Sequence, residues 1–278
     1  MDRLGKALQK AREQRQDIQE EALRAVHAVL PPITAANSFV EAPAPPPPSH
    51  SKSRKIEISN IDLESNRIFA QMNDNPNADI FRILRTKVLH LMQRSNLRTL
   101  AITSANYNEG KTTVALNLAL SFAMDIKQTV LVVDLDLRRP NVHEYLGIEP
   151  TAGLADYFLK HTPLPECLLR TSVERLTLLP MNGTLENSSE LLGTPQMATL
   201  AKELKERYAD RLVIYDMPPL LAQDDVIAFL PDVDGVLLVV RDGVTAVEDV
   251  KHCLHLLSDA NIIGTVLNDC PEKSFNKV

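Results

Sequence analysis

Short, continuous runs of apolar residues recur along the chain, and stretches with helical periodicity separate them. Runs of this length that are rich in Val, Ile and Leu are typical of parallel strands buried on both faces. An alternating stretch at residues 55–59 predicts a further short strand that begins the folded region. The predicted buried strands span residues 99–104, 129–136, 176–179, 211–220, 235–240 and 262–267.

Between these runs, apolar residues return every three or four positions, as on one face of a helix. Residues 77–94 show this pattern, with Ile80, Leu84, Val88 and Leu91 on one face. The alternation of strand and helix predicts an α/β fold with a mostly parallel central sheet, right-handed crossovers and helices on both faces. The other predicted helices begin at Lys111 or span residues 153–160, 163–170, 187–206 with a break at 193–195, and 246–258.

The N-terminal part of the chain has a different composition from the rest. Residues 1–30 are charged and predict a helical extension with a thin apolar stripe. This extension is either a docking helix for a partner or membrane surface, or a solvated tail. Residues 31–54 predict a semi-rigid, Pro-rich linker, with a ligand for an SH3-type domain as the alternative. The phosphate-loop domain described below is therefore expected at residues 55–278.

The 278 residues are 44% hydrophobic and carry a formal net charge of −6. This acidic balance argues against a protein that binds nucleic acid through a basic face. No apolar run reaches the roughly 18 residues of a membrane span, and no signal peptide is recognisable. Cys167, Cys253 and Cys270 lack the spacing of a zinc site or a disulfide framework. We therefore expect a cytoplasmic protein without a nucleic-acid partner.

The stretch SANYNEGKTT joins the first long apolar run to the helix at Lys111. It fits the phosphate-loop pattern, with Ala105 at the position of the usual first Gly. Backbone N–H groups at the start of such a helix form an anion site together with the helix dipole. Lys111 adds a charge for the β- and γ-phosphates, and the Thr112 hydroxyl can bind Mg²⁺. The predicted nucleotide-binding residues of this stretch are Ala105, Asn108, Glu109, Gly110, Lys111, Thr112 and Thr113.

Acidic residues follow two other predicted strands. Asp134 and Asp136 end one apolar run and precede Arg138, while Asp216 ends another run just before two prolines. Ligands of doubly wound sheets bind at the carboxyl ends of the strands, so these acids are expected to face the phosphate loop. Carboxylates there can hold Mg²⁺ through water or accept a hydroxyl proton. The sequence thus predicts a site for a nucleotide and Mg²⁺ in a P-loop NTPase fold.

The combination of SANYNEGKTT, VLVVDLDLRRP and LVIYDMPP resembles the bacterial tyrosine kinase family, which regulates capsule and exopolysaccharide synthesis and export. The resemblance spans about residues 77–269 and implies an ATP-dependent protein tyrosine kinase with a fold similar to that of partition and septum-site ATPases. It implies that Asp134 is the catalytic carboxylate near the acceptor hydroxyl and that Asp136 assists it. Nucleotide contacts are implied for Lys111, Arg138 and Asn268, the last at an adenine-reading position, and Mg²⁺ contacts for Thr112, Asp134 and Asp216.

Three charged residues recur at every third position of the predicted helix 77–94, namely Asp79, Arg82 and Arg85. Their spacing places them on one side of the helix, either as a functional patch or as a surface ion-pair ladder of little energy. In the family that the chain resembles, a Glu and two Arg with this spacing mediate oligomerisation. The resemblance therefore implies a homo-oligomer, with Asp79 one methylene shorter than the usual Glu.

The kinase domain of the resembled family is activated by the cytoplasmic tail of a membrane-spanning regulator of polysaccharide chain length. Because the sequence contains no such span, the regulator is expected to be a separate polypeptide that holds the kinase at the inner membrane. The family's C-terminal tyrosine cluster is missing, since no tyrosine follows Tyr215. Phosphorylation of a C-terminal tail is therefore not expected. The remaining tyrosines, Tyr107, Tyr145, Tyr157 and Tyr208, are expected to be packing or surface residues rather than acceptors.

The alternative function is a partition-type ATPase switch, which dimerises on binding ATP and phosphorylates no protein. Such switches usually carry a second lysine early in the phosphate loop, where this chain has Asn106, so the sequence favours the kinase. A GTPase is not expected, because the sequence contains no Asn-Lys-x-Asp motif. ATP hydrolysis by a kinase-like ATPase is the fallback activity.

Overall fold

The computed structural model describes residues 54–72, 74–125, 127–208 and 210–271. The predicted extension at residues 1–30, and the predicted linker at residues 31–54 except for its last residue, lie outside the described residues. Within the described part, none of the helices combines the length and the apolar composition that crossing a bilayer requires.

A single eight-stranded sheet runs through the described part of the chain. Its strands are β1 (Arg54–Ile56), β2 (Thr99–Ser104), β3 (Thr129–Asp134), β4 (Leu169–Thr171), β5 (Leu176–Leu179), β6 (Arg211–Asp216), β7 (Gly235–Arg241) and β8 (Ile262–Asn268). Across the sheet they lie in the order β1-β4-β5-β3-β6-β2-β7-β8. The pairings between these strands are parallel except that of β4 with β5. The predicted α/β fold with a mostly parallel sheet is confirmed.

Helices connect these strands, and local capping residues fix several of their starts. Before α2, Asn75 accepts the N–H of Asn77 and Pro76 takes the first helical position. Before α8, Thr194 accepts the N–H of Met197 and Pro195 takes the first helical position. The helices are α1 (Asn60–Ser65), α2 (Pro76–Arg94), α3 (Lys111–Ala123), α4 (Val142–Tyr145), α5 (Leu154–Leu159), α6 (Leu164–Cys167), α7 (Ser188–Leu192), α8 (Pro195–Glu206), α9 (Asp225–Phe229) and α10 (Val247–Leu256), with a 3-10 turn at Leu230–Asp232.

Several predicted boundaries were wrong where the chain turns into a loop. Strands β3 and β6 end at Asp134 and Asp216, so the segments that follow are free to build the loops around these carboxylates. The predicted strand at residues 55–59 stops at Ile56, because Ser59 caps α1 by accepting the N–H of Ile61. The predicted helix at residues 163–170 ends at Cys167, and the chain then enters the short strand β4.

Two apolar cores cover the two faces of the sheet, as predicted. Strand residues alternate between them: Leu100 and Ile102 of β2 face the core formed with α2 and α3, whereas Ala101 faces the core formed with α8, α9 and α10. Strands β2, β3 and β6 are buried along their whole length. Burial on both faces explains why these strands read as continuous apolar runs.

A buried asparagine ties the N-terminal segment to the central helix α3. Asn117 Oδ1 accepts the N–H groups of Phe69 and Ala70 at 2.7 and 3.1 Å. Its Nδ2 donates to the carbonyl oxygens of Arg67 and Thr113 at 3.0 and 2.9 Å. Four hydrogen bonds from one fully buried side chain fix the segment that follows α1 beside the start of α3.

Candidate active site

The phosphate loop, residues 105–110, connects the carboxyl end of β2 to the start of α3. Two of its residues have left-handed backbone angles, Asn108 with φ +62° and Gly110 with φ +92°. Asn tolerates this conformation better than most residues, and Gly adopts it freely. A Cβ at Gly110 would also collide with the side chain of Asn268. The left-handed backbone angle therefore favours glycine at this position, and the nearby end of the Asn268 side chain adds a further restriction.

The predicted loop residues contribute in different ways. Ala105 is buried at the start of the loop, where its carbonyl oxygen accepts the N–H of Leu221 at 3.1 Å. Glu109 is also buried, and its carboxylate accepts the N–H of Asn106 at 3.0 Å and the hydroxyl of Thr245 at 2.7 Å. The side chain of Glu109 is thus used to shape the loop.

Lys111, the first residue of α3, is buried among three carboxylates. Its Nζ lies 2.9 Å from Asp136 Oδ2, and its side chain is only 8% exposed. Burial lowers the pKa of Lys111, but the negative charges of Asp216, Asp136 and Asp134 outweigh burial and raise it to about 12. The ammonium is therefore charged at neutral pH, at the helix end where an anion binds most favourably.

Thr112 and Asp216 meet beside this ammonium. The Thr112 hydroxyl donates to Asp216 Oδ2 at 2.7 Å and lies 3.1 Å from Asn141 Oδ1. Among the described residues, nothing hydrogen-bonds the other carboxylate oxygen of Asp216, Oδ1, although it is buried. Burial raises the pKa of Asp216, against the attraction of Lys111. A buried oxygen without a partner is costly, so this position is suited to a ligand that would contact it.

Asp134 is fully buried at the end of β3 and pairs in register with Asp216 of β6. Its Oδ2 accepts the N–H groups of Asn141 and Val142, both at 3.1 Å, and its Oδ1 accepts the N–H of Asp136 at 3.2 Å. Burial, followed by the charge of Asp216, raises the pKa of Asp134 well above its usual range. Asp134 therefore holds the turn after β3 and binds a proton more tightly than an exposed aspartate does.

Arg138 extends from the same turn toward α7 and α9. Its Nε donates to Ser188 Oγ at 2.7 Å, and the Ser188 hydroxyl donates to Asp225 Oδ1 at 2.8 Å. Asp225 is buried, and burial raises its pKa. The Arg138 guanidinium is thus held in place by two residues from helix starts remote in sequence.

A cavity of about 640 Å³ opens beside the phosphate loop. This volume lies within the range of small-molecule sites, roughly 300–1,000 Å³. Asn268, at the end of β8, donates from Nδ2 to the Glu109 carbonyl oxygen at 3.0 Å and so links this cavity to the loop. The lining residues include Arg67, Phe69, Ile80, Phe81, Leu84, Asn108, Gly110, Thr113, Tyr145, Arg241, Asn268, Asp269 and Cys270.

The three residues predicted for oligomerisation differ in their surroundings. Asp79 and Arg82 form an ion pair at the surface of α2. In contrast, Arg85 Nη1 donates to the carbonyl oxygen of Ser121 at 3.1 Å, in the last turn of α3. A cation satisfies a helix-end carbonyl and interacts well with the negative end of the dipole. Arg85 therefore stabilises a helix pair within one chain.

The sequence reasoning missed five polar residues that organise this site. Asn141 directly follows the VLVVDLDLRRP segment, and this adjacency could have identified it as a site residue. The others are distant in sequence, at the starts of α7 and α9, at the end of β7 and in the loop after it, and the fold brings them close to the phosphate loop or to Arg138. The five are Asn141, Ser188, Asp225, Arg241 and Thr245.

The chain is similar to known proteins in sequence and in structure. A family model described as an AAA domain matches residues 97–264, from the start of the phosphate-loop region into β8. The tyrosine-protein kinase YwqD of Bacillus subtilis is 32% identical over 194 residues, which cover 69% of this chain and 81% of that protein. The chain belongs to the bacterial tyrosine kinase family. The resemblance stated from the motifs is thereby confirmed, and membership of this family makes the chain a protein-tyrosine kinase.

Two further relatives extend the comparison. The solved kinase domain of the Escherichia coli tyrosine kinase ETK is 29% identical, with a TM-score of 0.67, and the match covers 77% of this chain and 88% of that one. The succinoglycan biosynthesis transport protein ExoP of Rhizobium meliloti is 30% identical over 205 residues. That match covers 72% of this chain and 26% of ExoP, so the common part is about a quarter of ExoP.

Proposed function

We propose that this tyrosine kinase binds ATP with Mg²⁺ at the phosphate loop and phosphorylates tyrosine in proteins of exopolysaccharide or capsule assembly. The observation that carries the proposal is the Lys111 cluster. In it, a buried ammonium at the N-terminus of α3 lies among the carboxylates of Asp134, Asp136 and Asp216. A positive charge that can bind phosphates thus lies close to carboxylates that can bind a metal ion or accept a hydroxyl proton.

The phosphate groups would bind where the first N–H groups of α3 and the Lys111 ammonium converge. Asp136 holds this ammonium at 2.9 Å, so that it is already oriented before a nucleotide arrives. Donors fixed in advance stabilise the charge on a transferring γ-phosphoryl group without reorganisation during the reaction. This arrangement supports a transferase of the phosphate-loop type.

The residues at this site fit a Mg²⁺ ion. Asp216 Oδ1 is buried without a partner among the described residues, and the Thr112 hydroxyl lies beside the same carboxylate. Hard oxygen atoms of this kind are what Mg²⁺ prefers. In the described part of the chain, no three His, Cys, Asp or Glu side chains converge as a metal site, so phosphate oxygens would complete the ligand set. The ion, when bound, would neutralise charge on the β- and γ-phosphates.

Asp134 is our candidate for the group that receives the proton of the acceptor tyrosine. Its raised pKa suits a base, because a catalytic base is most effective with a pKa closer to the working pH. Three backbone N–H groups fix its orientation. The same carboxylate was predicted as a metal contact, and its position in register with Asp216 is compatible with a shared water.

The cavity beside the loop is our candidate for the adenosine part of ATP. Asn268 Nδ2 is engaged by the Glu109 carbonyl, which leaves the Asn268 side-chain oxygen as an acceptor. An acceptor would pair with the exocyclic amino group of adenine and would repel the carbonyl oxygen of guanine. This arrangement supports ATP rather than GTP as the donor.

We further propose that the activator is a membrane-spanning regulator of polysaccharide chain length on a separate polypeptide. The relative ExoP is named a transport protein and is far longer than the matched region, which supports a functional association between kinase and membrane machinery. We also propose peripheral attachment to the inner membrane and a homo-oligomer built through Asp79, Arg82 and Arg85. The division into extension, linker and kinase domain belongs to the same proposal.

Replacing Lys111 with Met tests the phosphate site. The substitution preserves the side-chain length but removes the charge, so we expect ATP affinity and tyrosine phosphorylation to fall roughly 100-fold. The matched control is Lys202→Met on the exposed side of α8. Circular dichroism of both variants shows whether they fold. Unchanged ATP affinity and turnover in folded Lys111→Met would contradict the assignment.

A further inference from the structure

The phosphate loop keeps its shape although two of its residues have left-handed backbone angles. Asn108 and Gly110 have φ of +62° and +92°, on either side of Glu109. A left-handed residue with a side chain is strained and persists only where its surroundings hold it. Something outside the loop must therefore fix these three residues.

Three side-chain contacts to the loop come from one segment, residues 241–249, which we call the clamp. Asp249 Oδ2 accepts from Asn106 Nδ2 at 2.9 Å. Arg241 Nη1 donates to the Asn108 carbonyl oxygen at 3.2 Å. Thr245 donates to Glu109 Oε1 at 2.7 Å, and its own oxygen accepts the N–H of Arg241 at 2.9 Å. The clamp thus contacts the loop at three of its residues.

Arg241 also reaches the other side of the nucleotide cavity. Its Nε and Nη2 lie 2.9 and 2.8 Å from Asp269 Oδ2. Asp269 has a left-handed angle, φ +60°, and directly follows Asn268, the residue proposed to contact adenine. Arg67 pairs with the second oxygen of Asp269 at 3.7 Å. One guanidinium therefore joins the phosphate loop to the segment on the base side.

We propose that Thr245 and Arg241 are positioning residues of this kinase. Thr245 holds the phosphate loop in its anion-binding shape through Glu109. Arg241 holds both the loop and the base-side segment, and so links the binding of phosphate to the binding of adenosine. A loop organised in advance binds more tightly because less conformational freedom is lost on binding. This inference rests on the proposed nucleotide site.

The two residues have different expected signatures, measured with inorganic triphosphate and adenosine as separate probes. Thr245→Val removes a hydroxyl at nearly constant volume. We expect it to weaken binding of inorganic triphosphate and ATP by about tenfold, the effect of losing roughly one well-placed hydrogen bond. Adenosine affinity is expected to stay the same. The matched control is Thr199→Val, an exposed threonine of α8 that bonds only its own helix in the described contacts.

Arg241→Lys is expected to weaken the binding of both probes. Lysine keeps the positive charge, but its single nitrogen cannot bond Asp269 and the Asn108 carbonyl oxygen in the fork that arginine provides. We expect losses of about fivefold to tenfold for inorganic triphosphate and for adenosine. In the double variant with Asp269→Asn, the loss of adenosine affinity should be less than the product of the single losses. Arg207→Lys, at a surface ion pair with Glu203, is the control.

The outcomes separate the inference from the proposed function. If the unaltered protein binds neither ATP nor inorganic triphosphate, the nucleotide site itself is wrong and the clamp with it. If the unaltered protein binds both and the clamp variants match it, only the inference is overturned. Equal losses for every probe, in step with a lower melting temperature, would show a general loss of stability and would also overturn it.

Discussion

At the scale of residues, three buried carboxylates surround a single ammonium. Lys111 can neutralise one charge of the cluster formed with Asp134, Asp136 and Asp216, so an excess of negative charge stays in a buried place. Burial raises the pKa of Asp134 and of Asp216, because the charged form loses its hydration. The site therefore carries a cost in stability, which a bound cation would relieve.

Replacing Asp216 with Asn is expected to stabilise the nucleotide-free protein at neutral pH. Since the folded state raises the pKa of Asp216 above its usual value of 3.8, this carboxyl costs stability increasingly as pH rises from there. We expect a melting temperature about 2–4 °C higher at pH 7, the shift that roughly 1 kcal/mol causes at this size, and no difference near pH 4. The same variant should lose the stabilisation that Mg²⁺ and ATP give the unaltered protein.

Asp234→Asn is the matched control, and the opposite change in stability is expected for it. Burial alone would raise the pKa of Asp234, but the hydrogen bond from Lys205 and the N–H groups of Arg98 and Thr99 lower it. The stability that the Asp234 carboxylate contributes is present above pH 3.8 and is lost as pH falls below that value. Asp234→Asn should therefore destabilise the folded protein at pH 7. The charge argument would be refuted if the melting temperature of Asp216→Asn, relative to that of the unaltered protein, were lower at pH 7 than at pH 4.

The sequence indicated that Lys111 and the acids at the strand ends lie at one edge of the sheet, but it did not indicate how each side chain is held there. The acids were predictable because parallel strands end at the same edge of a sheet, which brings Asp134 and Asp216 into register. The inward direction of the Glu109 side chain could not be predicted, because its partner Thr245 lies in a distant loop. Likewise, no local signal connects Arg138 to Ser188.

At the scale of elements, two arginines of the predicted oligomerisation patch on helix α2 have different contacts within the chain. Arg82→Ala is expected to reduce oligomer mass in light scattering without changing the melting temperature, because its ion pair with Asp79 is at the surface and such pairs add little stability. Arg85→Ala is expected to lower the melting temperature by about 2–4 °C, because it leaves the Ser121 carbonyl at the end of α3 unsatisfied.

Thr86→Ala, on the exposed side of the same helix, controls for changes in helix propensity. An unchanged oligomer mass in Arg82→Ala would remove the support for assembly through α2. An unchanged melting temperature in Arg85→Ala would show that its hydrogen bond to α3 contributes nothing.

Long elements with strong periodicity were predicted well, whereas several short ones were not, although the four-residue strand β5 has its predicted bounds. Strand β2 and helix α3 match their predicted starts, since a continuous apolar run and a Gly-Lys junction define them. The four-residue helix α4 and the three-residue strand β4 were missed because segments this short have no readable period. Their conformation depends on tertiary contacts, such as the pairing of β4 with β1.

At the scale of the whole molecule, the packing of the tyrosines makes them poor acceptors. The five tyrosines of the sequence all lie among the described residues, and each is buried or half-buried. Tyr215 is completely buried, Tyr107 lies under Arg139 and accepts a hydrogen bond from Gln223, and Tyr208 stacks on Arg211. An acceptor among them would first have to leave these contacts, whereas an exposed tyrosine of a partner would not.

The most direct test of this account is a phosphorylation assay with γ-labelled ATP and Mg²⁺. The full chain is incubated with a random Glu–Tyr copolymer, with and without the cytoplasmic tail of a chain-length regulator, and labelled tyrosine and released phosphate are measured in the same tubes. The account predicts label on tyrosine of the copolymer or the tail, lost in Asp134→Asn. Free phosphate without any labelled tyrosine would contradict it and would indicate an ATPase switch instead.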